Sequence, residues 1–214
     1  MKIMLYYAPS SCSLVPYLAL SEAGAEFDVS VVDFRRGGHL TTAYLSINPK
    51  HKVPVLVIDG KALTENLAIQ LWIARCYPRS RLLPSEGLDE FKAISLMAWC
   101  ASGIHPHLTP NVLPQRYCDL PGSEQSVRRC AHKLLLEDYQ IAEDLLAGRE
   151  WFFDHFTLPD IYFYWCFRRG MQFQVELAAF PNCRAHYERV SERASTKKLL
   201  DFEARTLREL EQTS

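Results

Sequence analysis

The sequence predicts a mixed α/β module of about eighty residues followed by an all-α part. Three observations carry this. Short apolar runs alternate with helix-periodic stretches as far as Tyr77-Pro78. A turn-rich stretch follows, "YPRSRLLPSEG" at 77–87, with two prolines and a glycine. Beyond it strand signals stop and helical periodicity runs on toward the end.

The elements follow in order. The run at 2–7 suits a buried strand, and Pro9, Ser10 and Ser11 suit a turn. Leu14, Tyr17 and Leu18 recur at helical spacing, which predicts a helix over 13–23 ahead of Gly24. In "FDVSVV", 27–32, Phe27, Val29 and Val31 alternate with polar residues, the period of a half-buried strand. A short helix is expected near 41–46. "VPVLVIDGKAL" reads as a hairpin turning at Asp59-Gly60. A helix from about Glu65 carries Leu67, Leu71 and Ala74 on one side. The predicted order is β-α-β-α-β-β-α over 1–78, with a linker at 79–87 and an all-α domain over 88–214. Helices are expected at 89–104, 123–147, 157–170, 178–192 and 195–211. In "FTLPDI", Thr157 and Asp160 form an acidic capping box, with Phe156 and Ile161 placed for a hydrophobic staple.

Composition narrows the function classes. Lys plus Arg number 24 against 25 for Asp plus Glu, which gives no electrostatic case for nucleic acid or an anionic membrane. No apolar run reaches the length of a spanning helix, and the N-terminus lacks a small-residue cleavage site. The seven cysteines contain no C-x-x-C pair. They read as reduced thiols of a cytoplasmic protein, with no metal site expected. Cys12 stands out because it falls between a turn and a helix start. Unpaired N–H groups and the helix dipole there favour a thiolate, so a lowered pKa is expected if the residue is reactive. A small buried apolar residue is the other reading of the same position.

Five stretches then carry a resemblance: "YYAPSSCSL" at 6–14, "NPKHKVPVL" at 48–56, "LTENLAI" at 63–69, "GIHP" at 103–106 and "FTLPDIYFYW" at 156–165. In this order and spacing the chain resembles the glutathione S-transferase family, and within it the bacterial beta class. The resemblance implies a thioredoxin-like first domain and a helical bundle with an electrophile-binding cleft. It implies that Cys12 and His105 stand near the glutathione sulfur, and that Ser11 or Ser13 donates to it. It implies a cis Val53–Pro54 bond, with the Val53 backbone pairing with the cysteinyl unit of glutathione. Glu65 and Asn66 would hold the γ-glutamyl end, and Lys52, Lys50, Arg35 or Arg36 the glycine carboxylate. Glutathione is implied as substrate, with no tightly bound cofactor and a homodimer as the assembly. An apolar electrophile would meet Trp99, Leu108, Val112, Leu113 and Tyr117.

Two departures stand out. Asn66 replaces the usual serine, and Pro106 the lysine that follows the histidine. Tyr7, which other classes use at the sulfur, is expected in the core. The resulting reading is a glutathione transferase, conjugating through bound glutathione or exchanging it through a mixed disulfide at Cys12. The alternatives are a non-catalytic interaction protein on the same fold, and a glutathione-dependent isomerase or dehalogenase.

Overall fold

The computed structural model describes residues 1–85 and 87–212. Four strands form one sheet in the order β2-β1-β3-β4. They are β1 (Ile3–Tyr7), β2 (Asp28–Val31), β3 (Val55–Ile58) and β4 (Lys61–Thr64). β1 runs parallel to β2 and antiparallel to β3, with Tyr6 opposite Ser30 and Val55. The Asp59-Gly60 hairpin sets the β3–β4 register at Ile58↔Lys61. Both turn residues have positive φ, 46° and 83°, as a two-residue hairpin turn demands.

Helices α1 (Leu14–Glu22), α2 (Thr42–Leu45) and α3 (Asn66–Cys76) complete the predicted β-α-β-α-β-β-α order. This is the expected thioredoxin-like arrangement. Seven consecutive residues of α1, Leu14 to Leu20, are buried. A helix apolar all round needs cover on more than one side. The sheet and α3 supply part of it. The rest comes from an element placed elsewhere by the sequence reading.

That element is the last helix. The all-α remainder comprises α4 (Gly87–Trp99), α5 (His105–Leu108), α6 (Glu124–Leu145), α7 (Leu158–Gln172), α8 (Pro181–Ser191) and α9 (Ala194–Gln212). The chain nevertheless divides into Met1–Leu82 together with the residues from Glu192 onward, and Leu83–Ser191. The expectation of a single all-α block over 88–214 is corrected accordingly, since α9 packs on α1. Phe202 stacks on Tyr17 at 5.4 Å and meets Tyr7 edge-on at 5.5 Å. Arg193 holds both oxygens of Glu22, at 2.8 and 2.6 Å. Of the expected linker at 79–87, Glu86 lies outside the described residues. Pro78–Ser80 forms a 3-10 turn.

The helix expected at 89–104 is also corrected. α4 ends at Trp99, and Cys100–Ile104 is a π-helical turn. The His105 N–H then reaches back five residues to the Cys100 carbonyl. Pro106 has no N–H to give to an α-helical ladder. The backbone absorbs that loss one turn upstream as a π-bulge. His105 itself keeps helical dihedrals, φ −57° and ψ −44°, although a residue before proline is ordinarily biased out of the helix.

The capping box forms as read. Asp160 accepts from the Thr157 N–H at 2.8 Å and its hydroxyl at 2.9 Å. α7 behind it is buried almost throughout from Leu158 to Phe167. Among the described residues no helix is long and apolar enough to cross a membrane.

Candidate functional site

The turn after β1 presents Cys12 through a closed polar network. Ala8 C=O accepts from Ser11 Oγ at 2.8 Å and from Ser13 Oγ at 3.1 Å. The two hydroxyls also meet each other at 2.6 Å, and Ser13 Oγ accepts the Ala8 N–H at 3.0 Å. Two hydroxyl protons serve the Ala8 carbonyl and the contact between the hydroxyls, so neither is directed at sulfur. Both hydroxyls build the turn.

Cys12 lies one residue before Ser13, the N-cap of α1. Its residue is only 9% exposed. Its Sγ donates to the Val53 carbonyl at 3.5 Å. Burial pushes the thiol up to about 12, against smaller lowering effects from the Asn66 side chain, its own backbone and the Lys52 charge. The expected low-pKa thiolate is therefore corrected. Desolvation of the charged form outweighs the Asn66 hydrogen bond and the Lys52 charge.

The Val53–Pro54 bond is cis, as expected. Val53 is buried beside Ala8, Val32, Tyr44 and Val55. Across from it, Glu65 occupies the N-cap of α3 with φ 73° and ψ 122°, a sparsely populated region for a residue with a side chain. Such outliers persist where the surroundings enforce them, and they cluster at ligand sites. The Glu65 side chain is 69% exposed and pairs with Lys50 Nζ. Lys50 also donates to Thr64 Oγ1 at 2.8 Å.

Asn66 turns inward. Its Nδ2 donates to the Cys12 carbonyl at 2.8 Å, and its Oδ1 accepts from Gln70 Nε2 at 3.3 Å. It therefore braces the Cys12 turn and leaves one amide proton beyond the bond to Cys12. Of the other candidate cations, Arg36 stands 3.9 Å from Asp33 and Arg35 3.9 Å from Glu211.

One contributor was invisible in the sequence. Glu203 of α9, 3% exposed, accepts the Ser10 N–H at 2.7 Å and the Tyr7 hydroxyl at 3.0 Å. No local pattern links positions 193 residues apart. Only its place on the buried face of an amphipathic helix could have singled it out.

Residues 1–75 match the glutathione S-transferase N-terminal domain. A glutathione S-transferase from a sphingomonad, solved in complex with glutathione, is 31% identical with a TM-score of 0.83, covering 94% of this chain and 98% of its own. The chain belongs to the glutathione S-transferase family. A bacterial beta-class glutathione S-transferase from Sphingomonas chungbukensis is 30% identical over 94% of this chain and 98% of that one, with a TM-score of 0.82. Glutathione S-transferase GstA of Escherichia coli O157:H7 is 29% identical over 204 residues, covering 93% of this chain and 98% of that protein.

Within this glutathione S-transferase the first unit brings together Cys12, Val53, Pro54 and Asn66, with Glu65 adjoining. Tyr7 is fully buried and turned to Glu203, consistent with a core role. His105 belongs to the second unit, where its ring meets Trp165 edge-on at 4.6 Å. Nearby, His107 Nδ1 pairs with Asp138 at 2.7 Å, and Trp99 Nε1 donates to the other oxygen of that carboxylate at 3.3 Å.

Proposed function

We propose that this chain is a glutathione transferase in which Cys12 acts as a neutral S–H donor to the glutathione sulfur. The observation that carries this is the buried Cys12 thiol, pushed up to about 12 and already donating to a carbonyl. At neutral pH such a buried group keeps its proton. It is a poor nucleophile and a dependable donor. The cysteinyl backbone of glutathione pairs with Val53. Its γ-glutamyl end lies at the start of α3, where Glu65 accepts from the ammonium and N–H groups of the first turn meet the carboxylate. Lys52 contributes positive charge near the sulfur. Glutathione releases its thiol proton to solvent, and the Cys12 S–H stabilises the resulting thiolate. That thiolate bonds to the electrophilic carbon of an apolar co-substrate, and the leaving group departs with the electron pair. Cys12 keeps its proton throughout.

Family likeness further supports a homodimer in the cytoplasm. A light-scattering mass near twice 24.6 kDa is expected, and a mass near one chain contradicts the dimer. The functional test is retention on immobilised glutathione, followed by halide release from an aryl halide. Elution by free glutathione and saturable conjugation are expected, with Cys12→Ser active and Cys12→Ala impaired. Absence of saturable glutathione binding would remove the proposal. A mixed disulfide on Cys12 at neutral pH, seen by intact mass, would assign Cys12 the nucleophile's role instead.

A further inference from the structure

The carbonyl of Lys52 is held by two side chains from one short stretch. The Tyr44 hydroxyl donates to it at 2.7 Å, and Asn48 Nδ2 donates to it at 2.7 Å. Both donors are fixed in turn. Tyr44 is 5% exposed, stands edge-on to Tyr6 at 5.7 Å, and packs in the cluster that contains Val53. Its hydroxyl is pushed up to about 12, mainly by burial, so it remains a donor at any working pH. Asn48 is 1% exposed; its Oδ1 accepts the Lys50 N–H at 3.1 Å and its backbone carbonyl the His51 N–H at 3.1 Å. Thr41 caps α2 and holds the Tyr44 N–H at 3.2 Å.

A peptide unit is planar, and in the trans form its C=O and N–H point in opposite directions. The Lys52 carbonyl and the Val53 N–H belong to one such unit. Two donors gripping the carbonyl from the buried side therefore fix the direction of the N–H on the other side. We propose that Tyr44 and Asn48 are positioning residues that aim the Val53 N–H at the cysteinyl carbonyl of bound glutathione. This rests on the glutathione reading above. It adds that affinity for the cysteinyl unit is set by two side chains that touch no ligand. Each donor holds the carbonyl in part, and only the loss of both releases it.

The experiment measures KM for glutathione and kcat at saturating glutathione in Tyr44→Phe, Asn48→Asp and the double variant. Each change removes a donor and keeps the side chain's shape. Each single change raises KM by about fivefold, the weight of one neutral hydrogen bond. The double variant raises KM by more than the product of the two, beyond about twenty-five-fold, because no donor then holds the carbonyl. kcat stays within about twofold, since the sulfur and its donors are untouched. A purely structural role would lower the melting temperature and leave the KM of the folded protein unchanged. A folded double variant with parental KM overturns the inference, as does a fall in kcat at constant KM. If Asn48→Asp does not fold, Tyr44→Phe decides alone, because its ring still fills the cluster: parental KM overturns the inference. A parent that shows no saturable glutathione binding defeats the functional reading first, and this inference with it.

Discussion

At Asp160 a buried carboxylate is met by four donors: the N–H groups of Phe152 and Thr157, the Thr157 hydroxyl and His186 Nε2, at 2.8 to 3.1 Å. At Cys12 a buried sulfur donates a single long bond of 3.5 Å to a backbone carbonyl, while Asn66, Ser11 and Ser13 secure the backbone around it. Both centres sit inside tight scaffolds. In the first, the central group itself is saturated; in the second, the backbone frame is tied down and the central sulfur is only lightly engaged. A saturated centre has nothing left to offer a ligand, and its value is stability. A rigid frame around a lightly engaged thiol is what a binding site for another sulfur requires.

Breaking the saturated centre should give the largest effect. Asp160→Ala strands buried donors and removes the cap, at a cost of about 3 kcal/mol or more by the weight of lost caps and unmet donors. Urea denaturation should show this as a lower midpoint. Protein that remains folded should bind glutathione with parental affinity. Lost affinity without lost stability would contradict the division between the two centres.

Next in size is Glu65→Ala, which touches the frame of the thiol site. A charge-assisted contact to the glutathione ammonium contributes about 1.5–3 kcal/mol, or roughly tenfold to a hundredfold in affinity. Calorimetry should find that loss with little change in stability, because Glu65 is exposed and its pairing with Lys50 is a surface one. Equal affinity in parent and variant would take Glu65 out of the site.

The division between the two centres also explains what the sequence made legible. Both ends of the capping box lie within four residues, so Thr157 and Asp160 could be read directly. The same holds for the Asp59-Gly60 turn and for the period-2 and period-3.6 runs that fixed the element order. The third donor system at Asp160, His186, lies 26 residues away on α8 and left no local mark. Among the described residues its Nδ1 has no hydrogen-bond partner, which fits the tautomer carrying its proton on Nε2. Around Cys12, neighbours were legible and protonation state was not. The residues Cys12, Val53, Glu65 and Asn66 could be named, but the thiol's protonation depends on burial, which no short motif encodes. Ser11 was legible as the neighbour of Cys12 in sequence; that its hydroxyl bonds the Ala8 carbonyl was not. α9 was assigned to the bundle because it follows other helices, whereas Phe202, Glu203 and Arg193 tie it to the first unit.

A smaller effect distinguishes the two centres by pH. The Cys12 pKa is raised in the folded state, from an ordinary value near 9 to about 12. Below about pH 9 both folded and unfolded forms carry the proton, and the stabilising contribution is fully present. Between about 9 and 12 only the folded form retains it, so stability falls as pH rises, by up to about 1.4 kcal/mol per pH unit for this one group. Comparing urea midpoints of the parent and Cys12→Ala across that range should show a shallower decline in the variant. Identical slopes would mean that the folded thiol is not held neutral.

The central claim, a neutral Cys12 that stabilises a thiolate on glutathione, is tested most directly by thiolate ultraviolet absorbance. The parent is titrated with and without glutathione, against Cys12→Ala. Without glutathione, the parent-minus-variant difference should show no thiolate below about pH 10. With glutathione, the parent should gain one thiolate near neutral pH, well below the pKa of free glutathione, and Cys12→Ala should shift that transition back up. A thiolate that titrates below the ordinary cysteine value in the glutathione-free parent, and is absent from Cys12→Ala, would make Cys12 the nucleophile and contradict the account.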